Sequence, residues 1–181
     1  MKAASIRYTR TAIALHWLAA LLIVGNLGLG ITMINLALSP FTLRVYAWHK
    51  WIGITVFLTV VARLAWRRAH RPPPPPAMPE WQRRAAAATH VALYVLMFAI
   101  PLSGWILSSS TGVSVVYLNV VPLPDLVAKD KALAAVLTAL HATLNFTLLA
   151  LVIVHVGAAL RHGFADSGLV LLRMLPFLRR G

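Results

Sequence analysis

The chain has 181 residues, 60% of them hydrophobic and only 12% charged, with a mean hydropathy of +0.78 and a formal charge of +13. Those values exclude a soluble domain of this size and describe an integral membrane protein. There is no cysteine, which excludes disulfides, thiolate metal sites, iron–sulfur clusters and thioether-linked cofactors and leaves imidazole and a little carboxylate as metal ligands.

In chain order, the N-terminus is basic and then apolar, as in a signal peptide. The run over about Thr11–Met33 is too long for one and lacks a convincing small-residue cleavage site, so it reads as a first span, with His16 just inside its start. Ser39-Pro40 in the loop Asn35–Tyr46 is expected to break the helix, and a second span follows over about Ala47–Trp66, carrying His49 at its beginning. Arg67–Arg84 is a hydrophilic connector whose five consecutive prolines predict a stiff polyproline II spacer in a plain loop. A third span covers about Ala85–Leu107. It holds His90 near its start and Pro101, a predicted kink, and the polar run after it ends at Gly112. The loop Val113–Asp130 leads to a fourth span over about 132–161, which contains His141 and His155. The tail Gly168–Gly181 is short, apolar and basic and is expected to lie along the membrane surface. No internal repeat suggests a duplicated transporter. The expected fold is all-α: one domain, a four-helix bundle in the membrane.

Thirteen of the 17 Lys and Arg fall before the first span, from Arg63 to Arg84, or from Arg161 onward; the other four are Arg44, Lys50, Lys129 and Lys131. The positive-inside rule therefore places both termini and the proline connector in the cytoplasm. The basic residues form no aromatic-interleaved patch, so nucleic acid is not an expected partner.

Histidine inside a membrane helix is costly, and its default reading is a functional site facing the bundle interior. His141 and His155 are 14 residues apart, which at ~100° and ~1.5 Å per residue puts them within about 40° of one face but ~21 Å apart. They can serve two separate centres, not one. His16 and His155 lie at similar depth near the cytoplasmic ends of their spans. His49 and His141 come level if the long fourth helix protrudes outward. Two cross-helix pairs follow, His16 with His155 inside and His49 with His141 outside. Two neutral imidazoles facing each other with no thiolate or carboxylate nearby suit the axial positions of a b-type haem, whereas zinc wants further ligands. Small residues near the histidines, Ala20, Gly53, Ala158 and Ala159, would leave room for a flat macrocycle, although they are also ordinary helix-packing features. His70 and His162 read as solvated, and His90 reads as interfacial.

The ordered set IALHWL from Ile13, HKWIG from His49, VARLAWR from Val61, THVALY from Thr89, IPLSGW from Ile100, LHATL from Leu140, VHVGAAL from Val154 and LLRMLP from Leu171 resembles the bacterial cytochrome b561 family across nearly the whole chain. The resemblance implies a four-helix inner-membrane protein with two haems b, whose ligands fall on His16, His49, His141 and His155. The sequence departs from the family at Arg161-His162, where a histidine pair is common, and in a looser acidic motif around Asp166. A haem with both axial positions filled performs outer-sphere electron transfer. The expected partners are the lipid bilayer, a quinone such as ubiquinone, and a small-molecule or protein electron donor. Superoxide oxidation at the outer face is one activity the resemblance brings. Arg44, Lys50, Lys129 and Lys131 would steer such an anion, or are ordinary interfacial cations. A haem b subunit of a larger dehydrogenase or hydrogenase, and a haem-free scaffold or transporter, are the alternatives.

Overall fold

The computed structural model describes residues 8–75, 77–165 and 173–175. Four helices run through them: α1 (Arg10–Ile34), α2 (Pro40–Ala69), α3 (Glu80–Thr111) and α4 (Lys131–Ala165), with a two-stranded antiparallel hairpin, β1 (Val116–Tyr117) and β2 (Val121–Pro122), between α3 and α4. All four helices are long and apolar enough to cross a membrane. Their outward faces carry large apolar side chains, such as Leu21 at 70% and Phe146 at 71% exposure, and little of each span is buried within the protein. That surface is what acyl chains cover, while the backbone satisfies its own hydrogen bonds within each helix.

The helix ends follow from local chemistry. Thr9 caps α1 by accepting from the backbone N–H of Ala12, and the Asp130 carboxylate caps α4 by accepting from Ala132 and Leu133. Each such cap is worth about 1 kcal/mol. The sequence reading of Asn35–Tyr46 as a loop is too long. Ser39 is the N-cap of α2, accepting from Thr42 N–H, and Pro40 is its first residue, so the dipeptide starts a helix seven residues before the expected Ala47. Likewise α3 starts at Glu80 and continues through the Ser108–Thr111 run, stopping where Gly112 takes a left-handed conformation (φ 78°). Ser108, Ser109 and Ser110 are buried. Their hydroxyls accept the Leu126 N–H or donate to the carbonyls of Trp105, Leu107 and Val113, which fastens the loop to the helix end.

The hairpin is a second departure from the expected loop. Its turn places Leu118 and Asn119 at positive φ (53° and 59°), a conformation that asparagine tolerates and leucine does not favour. Three side chains tie it to the bundle. Trp51 Nε1 donates to Val116 O, Thr55 Oγ1 pairs with Tyr117 OH at 3.0 Å, and Trp105 Nε1 donates to Pro124 O. At the opposite, tail-side end, the proline connector is not a free spacer. Pro73 is buried and Pro74 O accepts from Arg173, while Trp17 Nε1 donates to Met174 O. The rest of the tail, with its expected surface orientation, lies outside the described residues.

α1 packs along α2, α2 along α3, and α3 along α4, whereas among the described residues α4 has no comparable backbone packing against α1 or α2. What spans that separation is a set of histidines.

Candidate cofactor sites

α4 presents two imidazoles to the other helices. The ring centre of His155 lies 6.2 Å from that of His16 on α1, with the rings at 70°, and the ring centre of His141 lies 6.2 Å from that of His49 on α2, at 81°. The first pair is at the tail-side end and the second at the hairpin end. Both cross-helix pairs anticipated from sequence are therefore brought together.

The spacing can be tested against a metal. A metal–imidazole bond is about 2 Å and the ring centre lies about 1.2 Å behind its nitrogen, so two rings on opposite sides of one ion stand about 6.4 Å apart. Both pairs match. Among the described residues no group of three or more His, Cys, Asp or Glu converges to hold an ion, so a metal here would need its remaining ligands from another group, such as a planar macrocycle. Such a group would lie between α4 and its partners α1 and α2, whose backbones stand apart from it.

Second neighbours fix the hairpin-side rings. His49 Nδ1 donates to the Asn26 carbonyl at 3.2 Å, which leaves Nε2 as the unprotonated nitrogen. His141 Nδ1 is 2.9 Å from Ser103 Oγ, and that hydroxyl has already given its proton to Ile100 O at 2.8 Å, so it accepts from His141. Again Nε2 is left as the ligand atom. Such partners set the tautomer, hold the ring angle and raise ligand basicity. Close approach of the rings also requires glycine. A Cβ on Gly104 would stand 3.0 Å from His141 Cε1, and one on Gly30 3.3 Å from His49 Cε1. The small residue weighed in sequence beside His49, Gly53, faces Asn26 on α1 instead of the imidazole.

His90 is a residue that sequence reasoning placed poorly. Because α3 starts at Glu80 and not Ala85, His90 is nearly three turns into the helix, and its ring centre lies 5.4 Å from that of His155. His70 stacks on Trp66 at 3.9 Å, and His162 is half-buried in the last turns of α4. Of the four cations considered for steering, Lys50 and Lys129 converge on the turn after α3. Lys50 Nζ reaches Val113 O at 3.5 Å, and the Lys129 chain lies over Gly112. Arg44 and Lys131 are exposed at the same end.

Residues 7–177 match the family described as prokaryotic cytochrome b561. The chain belongs to that family. It is 35% identical over 173 residues to cytochrome b561 homolog 2 of Escherichia coli (strain K12), covering 93% of this chain and 91% of that protein. It is 31% identical over 187 residues to cytochrome b561 homolog 1 of the same organism, covering 94% and 97%. As a prokaryotic cytochrome b561, the chain is a bacterial membrane protein of a family that binds haem b and transfers electrons across the membrane.

Proposed function

We propose that this cytochrome b561 carries electrons across the membrane between two bis-histidine b-type haems, one held by His49 and His141 and the other by His16 and His155. The supporting observation is the pair of imidazole pairs at 6.2 Å between α4 and its partners, with Nε2 left free in both hairpin-side rings. Bound haem supplies a one-electron ferric–ferrous couple at each level. His49 with His141 and His16 with His155 would hold the two haems, leave no coordination site for oxygen or substrate, and keep the two levels ~21 Å apart along α4. A reduced-minus-oxidised spectrum with pyridine haemochrome quantification tests this: two low-spin haems b per chain, neither binding carbon monoxide. One haem per chain, or carbon monoxide binding at either, would sink the bis-histidine reading.

The orientation belongs to the same proposal. With 13 of 17 basic residues at the tail-side end or beyond it, that end faces the cytoplasm and the hairpin faces out. Reporter fusions after the proline connector and at the C-terminus are expected to report cytoplasm, and fusions in the Val113–Asp130 loop the outside. A cytoplasmic signal from that loop overturns the topology.

The outer donor fits a small anion such as superoxide, and the inner acceptor a quinone: two superoxide ions give up one electron each, and a quinone takes two electrons and two protons. The support is the convergence of Lys50 and Lys129 beside the hairpin-side pair, with Arg44 and Lys131 at the same end. Positive potential accelerates such encounters, and salt weakens the effect within a Debye length of ~8 Å. Replacing Lys50, Lys129 and Lys131 together by Gln is expected to slow reduction by superoxide in stopped flow and flatten its salt dependence. Haem content and reduction by a neutral donor should not change. Unaltered superoxide kinetics in a fully loaded triple variant point to a protein donor.

A further inference from the structure

Fourteen residues after His49 on α2, and so on nearly the same face, stands Arg63. It sits at the level of the tail-side histidines, within electrostatic reach of His16, His90 and His155. Its Nε donates to Tyr94 OH at 2.8 Å, and its guanidinium carbon lies 5.8 Å from the centre of that ring, so the side chain is anchored. With Leu15, Trp66, Arg67 and Tyr94 it lines a 250 Å³ cavity at the tail-side end of the bundle.

Arg63 is half-buried near the tail-side end of α2, and a partly buried cation is best accommodated where an anion answers it. The chain has only four acidic residues. Glu80 pairs with Arg83 and Arg84, Asp125 accepts from Ser114, and Asp130 caps α4. Asp166 lies outside the described residues. Among the described residues Arg63 makes no ion pair, yet it stands at the level of a site whose expected occupant carries two carboxylates.

We propose that Arg63, with Arg67 one turn further along α2, is a carboxylate-binding site for the propionates of the haem held by His16 and His155, and that it raises that haem's reduction potential. The inference rests on the ligation reading above. A fixed positive charge favours the form that has gained an electron, so neutralising Arg63 lowers the potential. No bond or proton transfer is involved, only the one-electron couple of the iron.

The test is a potentiometric titration of the holo-protein, with redox-difference infrared spectra, for wild type, Arg63→Gln, Arg63→Lys and Tyr94→Phe. Each is measured in lipid-free neutral detergent and in vesicles containing phosphatidylglycerol. Arg63→Gln is expected to keep two haems per chain, to reduce the ferrous-to-ferric ratio of the inner haem about tenfold at fixed ambient potential, a shift of about 59 mV for one electron, and to move the propionate carboxylate band. Arg63→Lys should retain most of the wild-type potential. Tyr94→Phe, which frees the guanidinium while keeping its charge, should give a smaller shift of the same sign if the Gln variant fails to assemble. An unchanged inner potential and carboxylate band in a haem-loaded Gln variant overturns the proposal. So does a shift seen only with anionic lipid, which assigns the anion to a headgroup phosphate, or loss of the Arg63 effect in an Asp166→Asn background, which assigns it to that carboxylate. A wild-type chain holding a single haem refutes the ligation reading instead, before any variant is compared.

Discussion

His49→Ala and His141→Ala are each expected to leave one haem b per chain in place of two, with the same residual spectrum. His16→Ala and His155→Ala should leave the complementary one. In the proposed ligation each iron would be held by two imidazoles from different helices whose ring centres stand 6.2 Å apart, with the two levels ~21 Å apart along α4, so losing one ring should empty one level and spare the other. The informative comparison is between the two variants on α4. If His141→Ala and His155→Ala each remove the haem of the opposite level, the pairing across helices is wrong. If all four variants lose both haems, the sites are not independent. Haem-to-protein ratios and low-temperature spectra on membrane-inserted variants decide among these outcomes.

The second large effect concerns residues that bind nothing. Gly104→Val is expected to remove the hairpin-side haem almost completely, because even a Cβ there meets the His141 ring at 3.0 Å and a branched side chain must push it off axis. Ser103→Ala removes the acceptor that fixes the His141 tautomer, and losses of that kind lower metal affinity by about 10–100-fold, so partial occupancy is expected. Gly28→Ala is the control: its Cβ would meet nothing within 4 Å, and haem content should stay native. Haem content in detergent titrations ranks the three. A fully loaded Gly104→Val variant would show that His141 approaches its partner by another path than the one through α3.

These second neighbours show where sequence reasoning reaches its limit. Four apolar spans are legible because only helices or closed barrels satisfy the backbone in lipid, and the depth of each histidine follows once the spans are set. The cross-helix pairs His16 with His155 and His49 with His141 came from depth and helical phase alone. Helix starts were less legible. Ser39-Pro40 serves equally as a break and as a cap with proline at the first turn, and the choice depends on what precedes and follows it. The late assignment of the α3 start put His90 at the interface, when its ring stands beside His155. The hairpin left no signal, since each strand is two residues long and its turn uses Leu118 where glycine would be expected. Ser103 and Gly104 were visible only as part of IPLSGW. Their roles depend on α4 lying against α3, which no local pattern in α3 encodes.

The weak backbone packing of α4 against α1 and α2 bears on how the chain is assembled in the cell. Helices α1 to α3 follow one another in synthesis and pack in that order, whereas α4 emerges last, supported by α3 alone on one flank. On the other flank, under the proposed ligation, the haems would fill the gap to α1 and α2. Any ligand that binds only the closed bundle stabilises it by mass action, and the proposed haems would also supply part of the helix interface. Under that ligation, haem supply would set how much of the chain reaches the closed bundle. If the proposed ligation holds, a chain without haem would keep α4 packed on α3 but lack the cofactor between α4 and α1 or α2, and its lifetime in the membrane would fall as haem becomes scarce.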